Sequence, residues 1–401
     1  MNLQTSIPVQ VLAIAMALLA LPLFLDLAVC IVGNLRKPCA PRGAVRKDIR
    51  LAVVIPAHDE EQMIARTVRS LLAAGCSAGE SVGVPVFVVA HNCTDQTAAM
   101  AKTAGARVVE LTNPKILGKG AALRCGFKAA GDAGANAFLV LDADSVASPN
   151  LIAATRATLE AGAEATQCRY ELEMPASGGF APMARLRVMA FRGINVLRAR
   201  GRASLGFSAG LFGNGFSVTA ETLERVPFNA NSICEDIEYH IKLTVAGINV
   251  RWVEDASVIA PLSAPGSAQA NQEARWEGGR FHVATRSVGP LLKATFTGNW
   301  RALEMLFEAW SLPLSRGIMT LLLTIVLPLH WLHIFALVCA VITLLYVMEA
   351  ALLGPEPWLD FAALAAAPAH IAWKALITPL VLRQTRKRAE WARTRREAPL
   401  P

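Results

Sequence analysis

The first ten residues contain no lysine or arginine. A cleavable export signal needs a basic start, a short apolar core and a small-residue cleavage site, so the N-terminus is not read as one. The eight cysteines are scattered, with no CxxC and no Cys/His pair at zinc spacing. That argues against zinc ribbons and dithiol redox motifs and leaves free thiols in a reducing cytoplasm. The chain has no internal repeat and no low-complexity segment, and the GxxxxGK[ST] spacing of a phosphate loop is missing. Its basic residues are not interleaved with a base-reading motif, so nucleic acid is not an expected partner.

What is present is apolar. The 401 residues are 54% hydrophobic, with a mean hydropathy of +0.40. That is more than one domain's worth of sequence, and more apolar than an ordinary soluble protein. Ile7 to Val32 contains one acid, Asp26, and no basic residue. At about 1.5 Å per residue such a run crosses a bilayer core of about 30 Å, so residues 1–35 are expected to form a transmembrane anchor. Residues 36–50, "RKPCAPRGAVRKDIR", form a basic linker, and the tail 384–401 is basic too. Together they supply most of the net charge of +8. Basic flanks stay on the cytoplasmic side and face anionic lipid. The N-terminus is therefore expected outside and the next domain in the cytoplasm, in a multi-pass inner (plasma) membrane protein.

From residue 51 to 280, short runs apolar on both faces ("LAVVIP", "VFVVA", "RVVEL", "FLVLD") alternate with helical stretches. This predicts an α/β domain with a mostly parallel sheet covered on both sides, flanked by transmembrane helices. Ligands in such sheets gather at the carboxyl ends of the strands. Residues 281–316 are amphipathic and predict helices lying in the membrane interface. Residues 317–383 predict a C-terminal membrane region. Gly317 to Leu353 is expected to make two spans joined near Pro328, and Trp358 to Leu382 is a third candidate interrupted by Pro368, His370 and Lys374. Three spans would leave the basic tail outside, so the last block is expected to re-enter or lie flat.

Asp142 and Asp144 end the run "FLVLDAD". Taken alone, a D-x-D at a strand end is either a solvated turn or a pair of hard oxygen ligands suited to Mg²⁺ or Mn²⁺. The surroundings favour the second reading. "VVIPAHDEEQMIARTVRSLL", "VVAHNCTDQTAAMAKTAGARVVEL", "GKGAALRCGF" and "VLDAD" are followed by "GLFGNGFSVTAETLERVPF", "ICEDIEYHIKLTVAGINVRWVEDASV" and "QEARW". In this order the segments resemble family 2 glycosyltransferases, inverting enzymes of GT-A fold. The likeness is to the membrane-bound branch carrying QxxRW, which includes cellulose synthase, hyaluronan synthase, chitooligosaccharide synthase and ceramide glucosyltransferase.

The resemblance implies a metal-dependent enzyme using a nucleotide sugar, with UDP expected. Asp144 and Asp142 would hold the divalent cation, Mg²⁺ or Mn²⁺, and Lys119 would sit near the donor phosphates or base. His91 stands where many members carry an aspartate that accepts the uracil N3–H. A neutral imidazole also accepts one hydrogen bond, and Asp59 is expected to share base or ribose recognition. Asp236, in "CED", would be the general base and Glu235 its tuning neighbour; acids here also suit a helix N-terminus. Gly213, Asn214 and Gly215 would bring backbone close to donor sugar or acceptor, and a plain turn is the rival reading. Gln272, Arg275 and Trp276 would serve the pyrophosphate and acceptor end. The expected activity is extension of an extracellular polysaccharide, with export partners. Single transfer to a membrane lipid such as ceramide or polyprenyl phosphate is the alternative, and a silent subunit of a secretion complex the third.

Overall fold

The computed structural model describes residues 6–41, 43–77, 83–115, 118–174, 180–230, 232 and 234–384. The basic tail expected at 384–401 lies, but for its first residue, outside them.

Four parallel strands start the domain: β1 (Leu51–Ala57), β2 (Val86–His91), β3 (Arg107–Leu111) and β4 (Ala137–Val140). Helix α1 (Ile7–Asn34) precedes them, and α2 (Ile64–Ser77), α3 (Thr97–Thr103) and α4 (Lys119–Asp132) connect them. Every residue of β1, β2 and β4 is buried. One face packs Val53, Ile55 and Leu139 against Ile64 and Leu71 of α2. The other packs Val54, Phe87 and Val140 near Leu123 and Phe127 of α4. Burial on both faces is why these strands read as unbroken apolar runs.

The second half is mixed. It comprises β5 (Val146–Ala147), α5 (Leu151–Glu160), β6 (Ala165–Glu173), α6 (Pro182–Arg192), a π-helical turn at Gly193–Arg198 and α7 (Ala199–Ser204). It continues with β7 (Phe216–Thr219), α8 (Ala220–Arg225), α9 (Glu235–Val245), β8 (Val250–Pro261) and α10 (Ser267–Phe296). The sheet order is β3-β2-β1-β4-β7-β6-β8-β5. Strand β7 runs antiparallel between β4 and β6, so the sheet is mostly, not wholly, parallel. Helix α10 passes unbroken through the domain boundary expected at residue 280, which joins the QxxRW segment rigidly to the helical C-terminal region.

That region comprises α11 (Trp300–Trp310), α12 (Leu314–Thr324), α13 (His330–Leu352), α14 (Pro357–Ala363), α15 (Ala367–Leu376) and α16 (Thr378–Gln384). Among the described residues two helices, α1 and α13, are long and apolar enough to cross a membrane, and the bent pair Pro357–Leu376 with Thr378–Gln384 passes the same test together. The stretch expected to give two spans gives one such helix and the 11-residue α12, only about 16 Å long. Pro328 follows the end of α12 in the link to α13, a break consistent with its lack of an N–H. The last block is bent by 46° between α15 and α16.

Helices α1 and α11 are tied to the domain by close packing and charge. A Cβ on Gly33 of α1 would lie 2.0 Å from the carbonyl oxygen of Gly201 on α7, so the two backbones touch. Asp26, the one acid of α1, accepts from Arg198 Nε at 2.5 Å and from Arg202 Nη1 at 2.9 Å. Both guanidiniums also pair with Glu308 of α11, at 3.1 and 2.9 Å, and Arg202 pairs with Glu304. All five side chains are largely shielded from solvent.

Candidate active site

Strand β4 ends at Val140, and after the buried Leu141 the chain turns with Asp142 and Asp144 at the carboxyl edge of the sheet. The turn is locked from behind. Asn214, 0% exposed, accepts from the Asp142 N–H at 3.1 Å and donates Nδ2 to Ser145 Oγ at 2.8 Å. Buried Gln167 of β6 fixes the Asn214 segment in turn, donating to the Asn214 carbonyl at 2.8 Å and accepting from the Phe212 N–H at 3.1 Å. Asn214 is thus a clamp on the aspartate turn; its side chain does not face an open cleft. Gly213 and Gly215 both have positive φ, the region glycine enters without strain. A Cβ on Gly213 would lie 3.3 Å from both Asp236 Oδ2 and Lys119 Nζ, and one on Gly215 would strike Cys168 Sγ at 2.4 Å. The room the glycines leave is taken by the protein's own groups.

Lys119 begins α4 and gathers the acids. Its Nζ is 2.5 Å from Asp142 Oδ1 and 3.5 Å from Glu235 Oε1, and it donates to the Gly213 carbonyl at 2.8 Å. Burial works against its charge, yet Asp142 and then Glu235 raise its pKa well above the usual lysine range. Glu235 and Asp236 open the first turn of α9, where the helix dipole favours acids. Burial nonetheless pushes Glu235 up to about 7, Lys119 pulling it down and Asp236 pushing it further up. Asp236 is raised as well, first by burial, while the Ile237 N–H and Lys119 draw it back. One lysine therefore stands among Asp142, Glu235 and Asp236, beside an Asp144 that is 3% exposed.

The QxxRW turn of α10 adjoins this cluster. Cys234, just before Glu235, donates its thiol to the Trp276 carbonyl at 3.6 Å, and Arg275 lies near enough to act on that thiol's charge. Gln272 is buried, whereas Trp276 is 40% exposed with its ring 6.2 Å from Phe191. Glu273 and Glu277 flank these residues and accept from Lys374 of α15 at 2.5 and 2.8 Å. Arg316 of α12 also reaches Glu277, at 2.6 Å. The sequence had marked Lys374 only as an interruption of an apolar block; its partners lie about a hundred residues earlier and no local pattern joins them.

Asp59 and His91 form a separate group at the ends of β1 and β2. Asp59 has φ 55° and accepts from the Thr94 N–H at 2.7 Å. His91 is 1% exposed, and its carbonyl accepts from His58 Nδ1 at 2.8 Å. Asp59, Cys93 and Asp95 lie within metal-ligating reach of one another. Asp95, however, binds the Thr97 and Glu61 N–H groups and Asp59 the Thr94 N–H, so this cluster closes a loop. Asp142 and Asp144 offer hard carboxylate oxygens, the donor type that fits Mg²⁺ or Mn²⁺.

The sequence profile described as "Glycosyltransferase like family 2" matches residues 49–279, more than half of the chain. The chain belongs to this glycosyltransferase family. Among solved structures, a mannosyltransferase of Pyrobaculum calidifontis in complex with GDP-Man and Mn²⁺ aligns over 94% of this chain and 97% of its own. The TM-score is 0.54 and the identity 17%. Glucosyl-3-phosphoglycerate synthase of Mycobacterium tuberculosis with Mn²⁺, UDP and phosphoglyceric acid covers 51% of this chain and 68% of its own, at TM-score 0.36 and 22% identity. The same enzyme with Mg²⁺ and UDP covers 55% and 78%, at TM-score 0.37 and 21% identity. No curated protein sequence matches. The first likeness shows that the α/β architecture of this glycosyltransferase is the GT-A fold.

Proposed function

We propose that this glycosyltransferase moves a sugar, with inversion, from a nucleoside diphosphate sugar to an acceptor hydroxyl at the cytoplasmic face of a multi-pass inner membrane protein. The observation that carries the reading is the meeting of Lys119, Asp142, Glu235 and Asp236 around the Gly213 carbonyl. Asp236 takes the acceptor's proton as the new bond forms at the anomeric carbon, and the bond to the diphosphate breaks. Lys119 offsets the charge that grows on the leaving group. Asp142 and Asp144 would hold a divalent cation, which supplies further charge neutralisation there when bound. The Mn²⁺ and GDP-Man of the Pyrobaculum enzyme support this assignment. Glu235 tunes the base, and Trp276 with Arg275 serves the acceptor and pyrophosphate end.

The acceptor is a growing glycan handed to export partners. A second reading, transfer to a membrane lipid, is favoured by an apolar cavity between α12 and α15. Calorimetry on the full-length protein with Mn²⁺ and UDP or GDP, followed by a labelled donor panel with and without EDTA, tests the proposal. Metal-dependent nucleoside diphosphate binding and a product heavier by one sugar or more are expected; failure to bind any metal–diphosphate pair would end it.

A further inference from the structure

The Asp142–Asp144 turn is held on a second side, by helix α2. Thr67, 1% exposed, donates its hydroxyl to the Ala143 carbonyl at 2.8 Å. The carbonyl of Met63, one turn back on the same helix, is 3.5 Å away. A hydroxyl has one proton to give, and at these distances it goes to Ala143. One turn further along α2, Ser70 Oγ accepts from the Ala147 N–H at 3.1 Å and donates to the Thr67 carbonyl at 2.8 Å.

These contacts fall on particular peptide units. Asn214 holds the N–H of the Leu141–Asp142 peptide, and Thr67 holds the carbonyl of the Ala143–Asp144 peptide. Each peptide is planar, so holding one of its atoms restricts the whole unit. The plane that leads into each aspartate is thus pinned, one from the segment before β7 and the other from α2. The spacing and aim of the two carboxylates follow from those planes.

A fixed pair of carboxylates does not treat all divalent cations alike. Mg²⁺ demands near-ideal octahedral geometry at about 2.0–2.1 Å, while Ca²⁺ accepts flexible shells at about 2.3–2.6 Å. Rigidity therefore favours the smaller ion, and a loosened turn gives that advantage up. We infer that Thr67 is a positioning residue that fixes the aspartate turn and thereby sets its preference for Mg²⁺ over Ca²⁺. The inference rests on the transferase reading above, in which Asp142 and Asp144 hold the cation, and adds a determinant of which cation that is.

Calorimetry on the full-length protein in detergent, titrating UDP or GDP at saturating Mg²⁺ and at saturating Ca²⁺, tests it. The unaltered protein is expected to bind the nucleoside diphosphate more tightly with Mg²⁺. Thr67→Val keeps the branched shape and loses the hydroxyl. It should weaken the Mg²⁺ complex by about 10–100-fold, the usual effect of losing a group that orients a ligand. The Ca²⁺ complex should change by less than about threefold, since that ion tolerates a displaced ligand. Thr67→Ser retains the donor and should restore the ratio. Thr67→Ala takes the place of the valine variant if thermal melts show that the latter does not fold. A Mg²⁺-to-Ca²⁺ ratio left unchanged, with both complexes intact or both weakened alike, marks a purely structural hydroxyl and overturns the inference. An unaltered protein with no preference for Mg²⁺ overturns it too. If the unaltered protein binds neither nucleotide with Mg²⁺, Mn²⁺ or Ca²⁺, the transferase reading itself fails, so the two failures are distinct.

Discussion

Lys119 Nζ lies 2.5 Å from Asp142 Oδ1, which makes the first residue of α4 the counter-ion of the aspartate that ends β4. The same ammonium reaches Glu235, so one positive charge is shared between the strand-end acids and those of α9. Removing one partner of a buried pair costs more than the pair contributes, because the other charge stays behind.

The Lys119→Met protein should therefore lose activity by about 10²–10³-fold, as expected when a group that stabilises developing charge is removed. Lys119→Arg should not restore it, since a planar fork does not replace a compact ammonium. Steady-state kinetics with the best donor of the panel measures both.

For Asp236→Asn, transfer should drop by about 10²–10⁴-fold, the contribution of a general base. Binding of metal and nucleoside diphosphate should be retained, because the amide keeps the shape of the side chain. Single-turnover assays beside calorimetry separate the two quantities, and normal turnover would remove the base assignment.

Acidity should control both rate and stability. Glu235 is held at about 7 against an ordinary 4.5, and Asp236 is raised with it. The pair titrates together, so the acid limb of kcat/KM should have a midpoint near neutrality rather than in the usual carboxylate range. Glu235→Gln should move that midpoint down, since it removes a negative neighbour and leaves Lys119 to Asp236. For folding the sign is opposite to that of a salt-bridged acid. Between pH 4.5 and about 7 the folded chain holds a proton that the unfolded chain has released, so Glu235's contribution is full below 4.5 and lost as pH rises through about 7. Thermal melts across that window, compared with Glu235→Gln, read the difference.

Asn214→Ala should leave the half-buried Asp142 N–H without its partner and free the aspartate turn. A lost partner of this kind costs about 1–3 kcal/mol, visible as a lower Tm. Mn²⁺ affinity should fall by about 10–100-fold, the usual effect of losing a group that orients a ligand. Unaltered metal binding would show that the turn holds its shape without the clamp.

Much of the nucleotide-side half was legible because its signals are local. The runs at Val53, Val88 and Leu139 are strands, since two covered faces demand apolar residues at every position, and the run at Val108 is the half-exposed edge strand beside them. The carboxyl-end location of Asp142 follows from that alternation. What escaped depends on partners far away in sequence. Asn214 looked like part of a glycine turn, and only β7 pairing with β4 brings it behind Asp142. Pro328 was read as a hinge between two spans, but eleven residues of α12 do not reach across a bilayer.

The Asp26 network sets a practical limit on dissecting the molecule. A fragment trimmed to residues 51–280 keeps Arg198 and Arg202 but discards Asp26, Glu304 and Glu308, every acid that neutralises them. Losing α1 also uncovers Leu186, Met189 and Leu197, which pack against its Leu23, Phe24 and Leu27, and exposed apolar surface of this kind promotes association. Helix α1 is thus a folding partner of the domain, and an excised catalytic piece should aggregate where the intact polypeptide in detergent does not.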